Sequence, residues 1–236
     1  AMGFNRLVDK DLDARNPRTA GRELPRGVIS STATATFVVI SSGIFILSAG
    51  KLNGLAFKLA PFALGYTFFY SFTKRFTWAC NILLGVAIGM APIGSWIAVT
   101  GQWSLVAVLL WVIVTLWVAG FDIIYACLDY EFDTSSGIRS IPAKIGLRGA
   151  LRVAKLLHLL AMVLMVGVFL AVPLHYIYLL GLLAIGCVLA YQHSLVKPTD
   201  LSQAGKASLD FNGIVSSCYF AITLLSVMLV RWGVGP

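Results

Sequence analysis

The sequence predicts an all-α integral membrane protein built from seven transmembrane helices. Of its 236 residues 58% are hydrophobic and only 12% charged, and the mean hydropathy is +0.86, which is a membrane composition rather than a soluble one. The apolar residues gather into runs of about the 20 residues that cross a bilayer. The charges gather between those runs, most of them on one side.

In chain order, Ala1-Met2-Gly3-Phe4 reads as the last turn of a helix. With no Met at position 1 and no signal peptide, the chain is expected to be N-terminally truncated. Asn5, Asp9 and Asp13 step by four residues and share one helical stripe, while Asp11 turns away. The Arg-rich segment Ala14–Arg26, with Pro17 and Pro25, is a loop too basic to enter the bilayer. Seven spans follow, at about 27–49, 54–73, 76–97, 103–128, 151–172, 174–195 and 212–231. The first is diluted by Ser and Thr, which can bond back to their own helix. The second carries Lys58 and Pro61. Short connections near 50, 74, 100 and 173 imply helical hairpins, and longer polar loops fill 134–150 and 196–211. No soluble unit interrupts this series, so residues 1–236 form a single domain.

The fourth span ends in a second acidic stripe. Asp122, Tyr125, Asp129 and Asp133 share one helical face, with Glu131 pointing away. Carboxylates stacked on one face at the edge of hydrocarbon repel one another and call for a positive partner. Hard divalent cations with oxygen ligands suit them, Mg²⁺ above all. Each stripe, taken alone, could instead cap its helix or pair with nearby Lys and Arg.

Parity brings the stripes together. Four crossings separate Asp13 from Asp129, so both lie at the same membrane boundary. Every Lys and Arg except Lys51, Lys58 and Arg231 belongs to that side, as do all 10 acidic residues. The positive-inside rule makes it cytoplasmic. The net charge of +8 therefore reflects cytoplasmic loops, and nucleic acid is not an expected partner. Cys80, Cys127, Cys187 and Cys218 sit in apolar runs without metal-type spacing and read as packing residues. His158, His175 and His193 are scattered.

Carboxylate-held Mg²⁺ beside Arg18, Arg22 and Lys74 would receive a multiply anionic group such as diphosphate. Lys74 lies one turn after Tyr70. Phe62, Tyr66, Phe68, Phe69, Trp111, Trp117 and Phe121 offer walls for an apolar tail. A diphosphate head at the membrane edge with such a tail is a lipid diphosphate.

These residues carry a resemblance. Asn5-x3-Asp9-x3-Asp13, followed by Arg18-Thr19-x2-Arg22-x-Leu24-Pro25-x-Gly27, resembles the first signature of the UbiA-type intramembrane prenyltransferases. Tyr70-x3-Lys74 resembles their short central motif. Asp122-x2-Tyr125-x3-Asp129-x3-Asp133, then Gly137-Ile138-Arg139-Ser140, resembles the second signature. The match runs over essentially the whole chain and is nearest to bacterial 4-hydroxybenzoate polyprenyltransferases and their menaquinone-pathway relatives.

The resemblance implies a UbiA-type helical bundle of nine spans, seven of them present here. It implies Mg²⁺-dependent transfer of a polyprenyl group from polyprenyl diphosphate to an aromatic acid acceptor, in ubiquinone or menaquinone biosynthesis. Asp9, Asp13, Asp129 and Asp133 would be the metal ligands. Asn5, Arg18, Arg22, Tyr70, Lys74 and Arg139 would bind substrate, and Asp122 and Tyr125 would be catalytic. The protein would lie in the bacterial inner membrane, its site facing the cytoplasm. A porphyrin acceptor is the nearer alternative. An ion-coupled transporter is the more distant one, since it would hold its acids near mid-membrane.

Overall fold

Each apolar run of the sequence becomes a helix in the computed structural model, which describes residues 1–234. Positions 235 and 236 of the predicted domain lie outside the described residues. Two short helices open the chain, α1 (Met2–Val8) and α2 (Lys10–Arg15). Four long ones follow: α3 (Ser31–Leu52), α4 (Gly54–Thr73), α5 (Cys80–Thr100) and α6 (Leu105–Ala126). After a 3₁₀ turn at Cys127–Asp129 come the short α7 (Tyr130–Ser136) and the long α8 (Ile141–Ala171), α9 (Ile177–Ser194) and α10 (Ala204–Arg231). Among the described residues no strand forms, and Lys197 and Asp200 make an isolated bridge.

Six of the seven long helices are long and apolar enough to cross a membrane. The other is α4, diluted by Lys58 and by its polar end at Tyr70, Ser71 and Thr73. The chain is a multi-pass membrane protein. Several helix starts differ from those expected, because capping rather than hydropathy sets them. Ser30 accepts the Ala33 N–H at 3.0 Å and starts α3 after the predicted position 27. Ser140 accepts the Ala143 N–H at 3.4 Å and starts α8 ten residues before the predicted 151. Gly146 then interrupts α8 at φ 73°, ψ 165°, a conformation that favours glycine. α10 gains two amphipathic turns, which bury Ala204, Ala207 and Ser208 and leave Lys206 and Asp210 on the outer side.

α6 is the central helix, packed on α5 along one flank and on α8 along the other. Gly85 and Gly89 make the first contact possible. A Cβ at Gly85 would lie 2.3 Å from the Thr115 carbonyl oxygen, and one at Gly89 would lie 2.8 Å from that of Trp111. Small residues that let helix backbones approach are a common packing device in membranes. Ile123, Ile124, Cys127, Ile141, Ala150 and Ala154 form a buried layer beneath the second acidic stripe. Phe37, Val39, Ile44 and Leu47 of α3 and Leu180 and Leu183 of α9 are exposed, as a bilayer requires of outer faces.

Two readings of single residues need correction. His158 and His193 are joined, with Nδ1 and Nε2 2.9 Å apart. The Trp117 carbonyl lies 3.1 Å from His158 Nε2, and a carbonyl only accepts, so that nitrogen carries the hydrogen. The pair thus ties α6, α8 and α9. Cys127 is buried, but Cys187 and Cys218 are exposed and Cys80 borders a polar cavity.

Candidate active site

Both acidic stripes are broken where the sequence suggested continuous helix. α1 gives way to α2 at Asp9, whose φ/ψ of −95°/4° is not helical. The 3₁₀ turn gives way to α7 at Asp129, with φ/ψ of −99°/5°. This sparsely allowed bridge region recurs at active sites. The two breaks turn the stripes toward a shared cavity of about 230 Å³. Asn5, Asp9, Asp13, Arg18, Arg22, Tyr70, Lys74, Asp122, Tyr125, Asp129 and Asp133 all line it, and exposed Asp11 and Glu131 do not.

Asp9 and Asp13 are only 3% and 6% exposed, and charges so buried need partners. Asp9 receives Asn5 Nδ2 at 3.1 Å, Lys74 Nζ at 2.7 Å and Arg75 Nη2 at 3.1 Å. Asp13 is held by Arg22 Nη1, 2.7 and 2.8 Å from its two oxygens. The loop after α2 is pinned from within, where Thr19 Oγ1 donates to the Asp13 carbonyl at 3.0 Å.

The same loop reaches the second stripe. Asn16 Nδ2 and Arg18 Nε donate to Asp129 Oδ1 at 2.7 and 2.8 Å, and Arg18 Nη2 bonds Asp129 Oδ2. Arg18 Nη1 donates to the Tyr125 hydroxyl at 2.7 Å, and its guanidinium carbon lies 4.7 Å from that ring's centroid. Burial opposes the Arg18 charge. The hydrogen bonds and attraction from Asp129 outweigh it and hold the guanidinium above its usual range. Asp133 accepts from Ser140 Oγ at 2.8 Å. Asp122 accepts from Asn81 Nδ2 at 2.8 Å.

Arg139 is not among the cavity residues. Its guanidinium bonds the Phe76 carbonyl, and its backbone N–H donates to the Lys74 carbonyl at 2.9 Å. It braces the end of α4 from behind. The nominated aromatic walls also lie elsewhere. Phe62 is 75% exposed, while Tyr66 and Trp111 spend their polar tips on the Leu83 and Val86 carbonyls of α5. The apolar lining is instead Leu12, Leu84, Ala126, Phe132 and Ile138.

Sequence reasoning missed Asn16, Arg75 and Asn81. Asn16 precedes Pro17 in the Arg-rich loop and belongs to neither acidic stripe. Arg75 was one cation among many, and Asn81 stands alone in an apolar run.

The donor set fits Mg²⁺. It is oxygen only, from two carboxylate pairs and the Asn5 amide. Among the described residues no three of His, Cys, Asp and Glu converge on one point. One or two carboxylates per ion, with substrate phosphates completing the shell, is how proteins usually hold Mg²⁺.

Residues 1–232 match the model of the UbiA prenyltransferase family. A 4-hydroxybenzoate octaprenyltransferase of Vibrio atlanticus is 30% identical over 214 residues, covering 89% of this chain and 73% of the relative. A UbiA homolog from Aeropyrum pernix K1, solved in its apo form, superposes with a TM-score of 0.83 at 31% identity. That match covers 93% of this chain and 83% of the other. A UbiA homolog from Archaeoglobus fulgidus bound to DMAPP and Mg²⁺ shares the fold with a TM-score of 0.62 at 22% identity, covering 92% and 81%.

Proposed function

The chain belongs to the UbiA prenyltransferase family, and from that premise we propose that it transfers a polyprenyl group from polyprenyl diphosphate to an aromatic acid resembling 4-hydroxybenzoate, in ubiquinone or menaquinone biosynthesis. The observation that carries this reading is the convergence of both carboxylate pairs with Arg18, Arg22 and Lys74 on one cavity at the end of an apolar bundle. The curated relative's acceptor and the Mg²⁺ and DMAPP of the archaeal homolog support it.

Asp9 with Asp13, and Asp129 with Asp133, would hold Mg²⁺, which supplies electrostatic stabilisation of the diphosphate leaving group. Asn5 steadies Asp9. Lys74, Arg22 and Arg18 now lie on these carboxylates at hydrogen-bond distance. Diphosphate oxygens offer the same three cations a second anion, so ligand binding redistributes charge already assembled in the cavity. Tyr70 and Tyr125 line the same cavity, where aromatic rings would help to stabilise an allylic cation. The apolar lining of Leu12, Leu84, Ala126, Phe132 and Ile138 would limit its capture by water. Arg139 acts at one remove, by fixing the backbone that carries Lys74. The charge asymmetry of the loops supports a bacterial inner-membrane location with this cavity on the cytoplasmic side.

The test is product analysis by mass spectrometry. The purified full-length protein is given geranyl diphosphate and Mg²⁺ with 4-hydroxybenzoate or with a hydroxynaphthoate. A prenylated acid is expected from one of them, and its formation should cease on chelation. No prenylated product from any aromatic acid overturns the reading.

A further inference from the structure

Among the acidic side chains lining the cavity, Asp122 is set apart. It lies a turn further into the bundle than Tyr125, and, like Asp133, it has no Lys or Arg within ion-pair distance among the described residues. Its partner is a neutral amide, Asn81 Nδ2 at 2.8 Å from Oδ2. Asn81 is itself only 3% exposed, and its Oδ1 accepts the Ile141 backbone N–H at 3.2 Å.

That second bond decides the first. A backbone N–H can only donate, so the amide oxygen must face Ile141 and the NH₂ must face Asp122. Helix packing fixes the distance. Asn81, Gly85 and Gly89 follow one another at four-residue steps on the face of α5 that touches α6. The close approach at the glycines brings Asn81 level with Asp122. The other carboxylate oxygen, Oδ1, takes no hydrogen bond from a described residue, and Asp122 lines the cavity.

We propose that Asn81 is a positioning residue that holds Asp122 as the acceptor of the aromatic ring's proton, a role that rests on the prenyl transfer proposed above. In that step the prenyl C1–O bond breaks and its electron pair leaves with the diphosphate. A ring carbon supplies the pair for the new C–C bond. The ring C–H pair then returns to the ring as its proton passes to Asp122 Oδ1. The bond from Asn81 keeps the carboxylate from turning toward the cations gathered around Asp9 and Asp129. Geometry within hydrogen-bond reach is the first requirement of a general base, and an outer partner commonly supplies the aim.

The experiment uses the full-length protein with geranyl diphosphate, Mg²⁺ and 4-hydroxybenzoate, protonated or deuterated at the ring positions beside the hydroxyl. Asn81→Asp keeps the size and the oxygen facing Ile141 but removes the donor. Asn81→Leu, which can donate nothing, guards against a proton shared between two carboxyls. In the unaltered chain the ring proton leaves after the slow ionisation, and deuterium should change the rate by less than about 1.3-fold. In both variants the single-turnover rate should fall roughly 10- to 100-fold and the isotope effect should rise to about 2 or more. Mg²⁺-dependent binding of geranyl diphosphate should stay within about twofold. Adding Asn81→Asp to Asp122→Asn should cost nothing further. No transfer by the unaltered chain overturns the prenyl-transfer reading and this role with it. Transfer without an isotope effect in either variant, or loss of diphosphate binding in both, overturns the role of Asn81 alone.

Discussion

The two acidic stripes have the same local construction and very different support. Each places a carboxylate at a helix break, Asp9 between α1 and α2 and Asp129 between the 3₁₀ turn and α7, with nearly the same backbone angles. The second stripe continues α6 and rests on the buried layer of Ile123, Ile124 and Cys127. The first has no such floor. No residue of α1 is buried, and in α2 only Asp13 is. It is held across the cavity by charge, through Lys74 and Arg75 on Asp9 and through Arg18 and Asn16 on Asp129. One half of the site is therefore placed by a buried core, and the other by ion pairs and hydrogen bonds together with the stacking of Phe4 of α1 on Phe68 of α4. A ligand that competes for those ion pairs can adjust the second kind of support without disturbing the bundle.

The largest expected effect would break this comparison if it were unequal. Asp13→Ala and Asp129→Ala should each lower turnover about a thousandfold, since both halves must hold metal for the diphosphate to leave. Asp11→Ala and Glu131→Ala, whose side chains are exposed, should stay within about threefold. Steady-state kinetics on the four variants checks this, and tolerance of either cavity substitution would reduce the site to one half.

A smaller effect sharpens the account of the first stripe. Lys74→Gln should cost roughly a hundredfold in kcat/KM, because an ammonium is lost both from Asp9 and from the leaving group. Arg75→Gln should cost about tenfold or less, because Arg75 also contacts the Val8 and Ser71 carbonyls and does not line the cavity. Equal losses would mean that both cations serve the ligand directly.

Arg18→Gln isolates the tie between the halves. Turnover should fall about tenfold at low salt, with a shallower further loss in high salt than the unaltered chain shows, because salt screens the partly exposed bridge that the variant no longer has. The smallest effect belongs to Arg139→Gln, which should leave prenyl diphosphate affinity within about threefold while lowering thermal stability by about 1 kcal/mol. A larger affinity loss would move Arg139 into the ligand site.

The contrast also explains what the sequence makes legible. The apolar runs, the D-x3-D spacings and the parity of the crossings are local or countable properties, and they place both stripes at one boundary. The breaks at Asp9 and Asp129 leave no mark in a pattern read at 100° per residue, since the shift is a single residue's dihedrals. The partners of the carboxylates are no more visible. Asn16 meets Asp129 from 113 positions away, and Asn81 meets Asp122 because two glycines downstream of it draw α5 onto α6. The aromatic walls failed for a related reason. Ring-bearing positions are plentiful in a membrane chain, and most of them serve lipid faces or helix contacts.

The central claim, that two differently supported stripes form one centre, is tested most directly by a binding cycle. Mg²⁺-dependent affinity for geranyl diphosphate is measured by calorimetry in the unaltered chain, in Asp13→Asn, in Asp133→Asn and in the double variant. The account predicts that each single change removes most of the affinity, and that the double variant loses little beyond either one, because the diphosphate needs both halves at once. Losses that simply add, as for two independent sites, would contradict it.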